Sequence, residues 1–150
     1  PAPLLDQIGC RYTPHVLGVV VNQPLRIHSA DDTLHNVHYD PKLNSPVNFA
    51  MVGANQERTV AFKAHEIFKV TCDVHPWMTA WIGVFDNPYF AVTAEDGSYE
   101  IKELPPGEYK LVVWHERLGK QEQEIAVTED GAVIEKGFVY KPSASVATDD

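Results

Sequence analysis

Cys72-Asp73-Val74-His75-Pro76-Trp77-Met78 sets a thiolate, an imidazole and a thioether at intervals of three residues. These are three of the four donors of a mononuclear copper centre in which one Cys sulfur and two His nitrogens form a trigonal plane and a weak, distant Met completes the set. The thiolate gives a strong covalent bond, imidazoles suit both oxidation states, and a distant thioether avoids imposing the tetragonal geometry Cu(II) prefers. Cys-x-x-His-x-x-Met lets one tight loop between two strands present all three side chains to one point. The flanks agree: residues 67–71 and 80–85 are rich in β-branched and aromatic residues and read as a strand entering the loop and a strand leaving it.

The fourth donor has to come from upstream, and Leu34-His35-Asn36-Val37-His38 offers two imidazoles. Residues three apart on a strand point to opposite faces, so only one can serve. His35 stands at the strand's entrance, close to the loops, and is the candidate; His38 should point elsewhere. A lone Cys-x-x-His would be a weak signal. Here the chain has only two Cys and two Met, and one of each falls in the loop. The competing reading is a metal-free sandwich with a Cys10–Cys72 disulfide, which would leave His35, His75 and Met78 unexplained. Zinc fits less well, because structural zinc usually recruits more thiolates. Cys10 itself has three readings: a small apolar side chain near His75, a disulfide partner, or an extra copper ligand.

The chain has 150 residues and a net charge of −9. That length allows one domain or two small ones with a real core. Six basic and eight acidic residues lie in 1–86, six and thirteen in 87–150, so the acid is concentrated in the second part. No basic footprint for nucleic acid exists. No apolar run is long enough for a membrane span, and no signal peptide is visible at Pro1-Ala2-Pro3.

β signals dominate the rest. Residues 16–21 and 25–29 read as strands around the Asn22-Gln23-Pro24 turn, and 36–39 as another. Residues 59–62 and 67–71 read as a pair of strands. Residues 41–57, with two Pro and three Asn, read as irregular. Composition changes at Asp86-Asn87-Pro88. Beyond it, Asp96-Gly97 and Pro105-Pro106-Gly107 are turn chemistry between alternating flanks, with further strands expected at 121–127 and 132–140. The expected organisation is a copper-binding domain over 1–86, a small β module over 87–142, and a disordered Ser/Ala/Asp-rich tail over 143–150.

Over residues 4–86 the chain resembles the cupredoxins, the type 1 blue copper proteins, in their amicyanin/plastocyanin-like form. The resemblance rests on the short Cys72-x-x-His75-Pro76-x-Met78 loop, on His35-Asn36-Val37-His38-Tyr39, and on Tyr12-Thr13-Pro14 with the strand after it. It implies an all-β Greek-key sandwich with copper at one end, held by His35, Cys72, His75 and Met78. It further implies a non-enzymatic, exported or periplasmic electron carrier with one copper cycling between Cu(I) and Cu(II), serving a redox partner such as a cytochrome or a dehydrogenase. The alternative class is a copper carrier or sensor. Three departures stand out: Asp73 where Ser or Thr usually follows the Cys, Ala64-His65-Glu66 where a Gly-containing turn is usual, and Cys10 where Cys is not. Residues 88–140 resemble transthyretin-like carboxypeptidase regulatory modules through Thr93 to Ile101 and Leu104 to Leu111, implying scaffolding or adhesion. Trp114-His115-Glu116 reads as a strand residue followed by exposed polar ones, not a metal site.

Overall fold

The structure is a computed structural model and describes residues 2–141; the expected tail over 143–150 lies outside the described residues. Among the described residues every element is a strand, in the order β1 Leu4–Gln7, β2 Tyr12–Thr13, β3 Val16–Val20, β4 Leu25–Ser29, β5 Leu34–Tyr39, β6 Val47–Val52, β7 Gln56–Val60, β8 Glu66–Thr71, β9 Thr79–Phe85, β10 Gly107–His115 and β11 Gly119–Val127. The chain forms two compact units, Pro1–Glu100 and Ile101–Asp150.

The first unit is a sandwich of two sheets, ordered β2-β1-β4-β7 and β3-β9-β8-β5-β6. Alternation explains which side of each strand faces the core. In β4, Leu25, Ile27 and Ser29 are buried while Arg26 points out to Glu57. In β3, Leu17 and Val19 are buried on the same face. Leu5, Leu25 and Ile27 of one sheet join Leu17, Val19, Val37, Val70, Ile82 and Val84 of the other in one core. Tyr39, Phe62 and Phe68 fill one part of it, with ring centroids 5.2–5.8 Å apart.

Two sequence expectations for this unit are corrected. Residues 41–57 are not irregular throughout: β6 and the first two residues of β7 lie there. Neither strand carries a Pro inside it, and each sits at a sheet edge, where polar residues are tolerated. The segments around 59–62 and 67–71 do not pair with each other. β7 pairs with β4 in one sheet, and β8 with β9 and β5 in the other.

On the outer face of β3 and β9, Gly18 stands opposite Gly83. A Cβ on Gly18 would meet the Phe90 ring at 2.4 Å. Phe90 stacks on Phe85 at 4.5 Å, so the segment after β9 folds back over this glycine-paved strip.

The second unit holds an antiparallel hairpin of two nine-residue strands, β10 with β11. Asp96-Gly97 makes the expected turn, with the Gly97 amide donating to Ala94 O. Residues 132–140 do not form the expected strand. They run beside the hairpin without a ladder, and the Gln121 and Gln123 side chains donate to the Val139 and Gly137 carbonyls.

Candidate metal centre

Strand register brings the donors together. The ligand loop joins β8 to β9, which are antiparallel neighbours. β5 lies on the other side of β8 with His38 opposite Thr71. Continuing that register sets Asn36 level with Asp73 and His35 level with the loop. The result is a group in which His35, Cys72 and His75 each present a ligand atom within 4.8 Å of the others. Cys72 is 2% exposed and His35 fully buried. His35 Nδ1 and His75 Nδ1 face each other at 3.1 Å, and Cys72 Sγ is 3.9 Å from His75 Nδ1. Met78 is 1% exposed, and its amide donates to His75 O, which closes the loop into a turn. The other methionine, Met51, lies opposite His35 on β6, and its sulfur accepts from Gln7 Nε2 at 3.0 Å.

The tautomer of His35 follows from its partner. Its Nε2 sits 2.8 Å from Asp31 Oδ2. Burial alone would raise the Asp31 pKa, but hydrogen bonds from the Cys10 amide, the His35 ring and the Gly9 amide outweigh it and hold the carboxyl below its ordinary range. A carboxylate only accepts, so Nε2 carries the proton and Nδ1 offers a lone pair toward Cys72 and His75. Carboxylate–histidine pairs of this kind orient metal-bound imidazoles. The sequence reading missed Asp31. Nothing in Ala30-Asp31-Asp32-Thr33 distinguishes it from turn chemistry; the parallel pairing of β1 with β4, Gln7 beside Ser29, brings it to the Gly9 and Cys10 amides.

His38 is turned away, as strand alternation requires. Its Nδ1 contacts Asp73 Oδ1 at 3.0 Å. Asp73 Oδ2 accepts from Asn36 Nδ2 at 2.9 Å and Asn48 Nδ2 at 3.1 Å, and its amide donates to Asn36 Oδ1. The residue after Cys72 thus fastens the loop to β5 and β6. The His38 contact lowers the Asp73 pKa most; burial opposes it, and the Asn36 and Asn48 donors add to the lowering. Tyr12, another residue without an assigned role in the sequence reading, donates its hydroxyl to the Asn36 and Thr71 carbonyls. Burial, then the nearby Cys72 and Asp73, push its pKa up, which keeps it a donor.

Cys10 and Cys72 are both free. Cys10 lies on the far side of His75, its Sγ 3.9 Å from Nε2, and its carbonyl accepts from Trp77 Nε1 at 2.8 Å. Outside the centre, His115 Nδ1 accepts from the Arg117 and Leu118 amides at 3.1 Å, so it shapes the turn between β10 and β11.

No family model matches this chain, and no curated protein does. Solved structures do. A Cu(I) amicyanin variant aligns at 20% identity with a TM-score of 0.50, and a reduced amicyanin variant at 21% with a TM-score of 0.51; each alignment covers 55% of this chain and 81% of the amicyanin chain. A copper-containing nitrite reductase from Thermus scotoductus SA-01 aligns at 17% identity and TM-score 0.50, over 58% of this chain and 23% of its own. The aligned part is a cupredoxin β-sandwich, and the small C-terminal sheet accompanies it. Among the described residues, no helix is long and apolar enough to cross a membrane.

Proposed function

We propose that this protein is a copper protein of the blue, type 1 kind that carries one electron. One observation carries the reading: His35 Nδ1, His75 Nδ1 and Cys72 Sγ converge on one shielded point, in a cupredoxin sandwich. The donor set fits copper. A thiolate at about 2.3 Å and an imidazole at about 2.0 Å from one first-row metal stand up to about 4.3 Å apart, and Cys72 and His75 are 3.9 Å apart. His35, Cys72 and His75 would hold the metal, with Met78 the weak thioether. Copper would supply the one-electron Cu(I)/Cu(II) couple, one ion per chain.

The protein's own part is to hold still. Asp31 fixes the His35 ring, Asp73 ties the loop to β5 and β6, and the turn closed by Met78 fixes the loop's shape. His75 is only partly buried, and Trp77 beside it is 64% exposed, which supports this edge as the place where a redox partner approaches. Such a partner would be a cytochrome or a dehydrogenase, in the periplasm or outside the cell. We assign residues 1–86 to the copper function and 87–142 to an accessory transthyretin-like module with a scaffolding role.

The test is the visible spectrum of the oxidised, copper-loaded protein. An intense thiolate-to-copper band is expected. It should vanish in Cys72→Ser and persist in His38→Ala. A colourless wild-type protein, or a coloured Cys72 variant, would end the reading. A copper carrier is the second reading, favoured by the free thiol of Cys10 next to His75.

A further inference from the structure

Cys10 is unused by an electron carrier, yet the fold places it with care. Its φ of 55° is left-handed, a conformation that non-glycine residues seldom take, and Gly9 before it has φ 60°. The turn is held from both sides. The Gly9 and Cys10 amides each donate to Asp31 at 2.8 Å, and the Trp77 indole donates to the Cys10 carbonyl. Held this way, Cys10 Sγ stands 3.9 Å from His75 Nε2, matching the 3.9 Å between Cys72 Sγ and His75 Nδ1. One imidazole therefore has a thiol at each of its nitrogens. Cys10 Sγ also lies within 4.8 Å of ligand atoms of Asp31 and His35. Cys72 is buried, whereas Cys10 is partly exposed.

We propose that Cys10 Sγ and His75 Nε2 form an outer site for Cu(I), through which the metal enters the inner centre; this rests on the copper reading above. The separation suits one ion shared by thiolate and imidazole, and a soft thiolate selects Cu(I) over harder cations. Occupancy alternates. A neutral imidazole has a single lone pair, so metal on Nδ1 leaves the proton on Nε2 and the outer site closes. Copper arrives from a Cu(I)–thiolate or Cu(I)–chelator donor. As the bond to Cys10 Sγ forms, the thiol proton leaves to water and the donor's own ligand departs. On the inward step Cys72 releases a proton to water, Cys10 takes one up, and the imidazole proton passes from Nδ1 to Nε2 through solvent. Copper stays Cu(I) throughout, and no electron moves.

Anaerobic competition against a colorimetric Cu(I) chelator tests the site apart from any colour of the inner centre. Cys72→Ser should hold one Cu(I) at least tenfold more tightly than Cys10→Ser/Cys72→Ser, with one sulfur and at least one nitrogen neighbour by X-ray absorption. Equal affinity of the two variants would overturn the proposal. Cys10→Ala/Cys72→Ser, with far-UV circular dichroism on each variant, separates loss of the thiol from loss of fold. In the otherwise native chain, Cys10→Ser should slow Cu(I) loading from the chelator by tenfold or more. Loading at the native rate would also overturn it. Failure of the electron-carrier reading would show separately, as a wild-type protein without the intense band.

Discussion

Asp31 ties two separate pieces of chain together: it receives the Gly9 and Cys10 amides from the β1–β2 turn and the His35 N–H from β5. Removing such a partner typically costs 10–100-fold in metal affinity. Asp31→Ala should therefore weaken copper binding by about that factor, measured by chelator competition, while the band of whatever copper is bound stays in place. Asp73 acts by charge as well as by hydrogen bonds. A carboxylate beside the thiolate strand favours Cu(II), so Asp73→Asn should raise the reduction potential. Voltammetry showing an unchanged or lower potential would contradict this. The grouping of Cys72 with His75 was legible in the sequence because they are neighbours there, and that of His35 because strand alternation separates it from His38. Asp31, Asn48 and Tyr12 were not: Asp31 sits in ordinary turn chemistry four residues before His35, Asn48 reaches Asp73 only through the register of β6 on β5, and Tyr12 comes from a strand far away in sequence.

Among the elements, the strip formed by Gly18 and Gly83 needs bare backbone because an aromatic ring lies over Gly18. Gly18→Val should destabilise by about 1–3 kcal/mol, as overpacking commonly does. Adding Phe90→Ala should recover part of that loss, a coupling that a double-mutant cycle in urea would measure. The start of β8 is fastened differently. Glu66 accepts from the amides of Lys42, Leu43 and Asn44 and from the Asn44 side chain. Burial would raise its pKa, but those donors together take it below 4.5. A depressed carboxyl stabilises the fold above its unfolded pKa and loses that contribution as pH falls through the folded value. The stability difference between the native chain and Glu66→Gln should therefore be full at pH 7 and shrink below 4.5. A difference that grows in acid would refute the assignment. The alternating β4 and the β-branched and aromatic runs of β3, β8 and β9 were readable one by one. β6 and β7 were obscured by the Pro and Asn around them. Which strand pairs with which was not readable, because a sandwich sends consecutive strands to different sheets.

For the molecule as a whole, all proposed donors, the two facing sheets and the Phe90 strap belong to Pro1–Glu100. A chain ending at Glu100 should keep the copper band and lose much of the acidic charge. If its partner is basic, electron transfer should then depend less on salt, a screening effect with a length of about 10 Å at 0.1 M. Loss of the band on truncation would show that the second unit is needed for the centre. Finally, the donors lie far apart along the chain, at Cys10, His35 and the 72–78 loop, and only the parallel pairings of β1 with β4 and β3 with β9 and the register of β5 on β8 gather them. Pairings of such long sequence separation are slow to close. The metal pocket therefore exists only after the long-range topology is complete. During refolding, the appearance of the native copper band becomes a clock that starts when β5 docks on β8 and His35 reaches the loop.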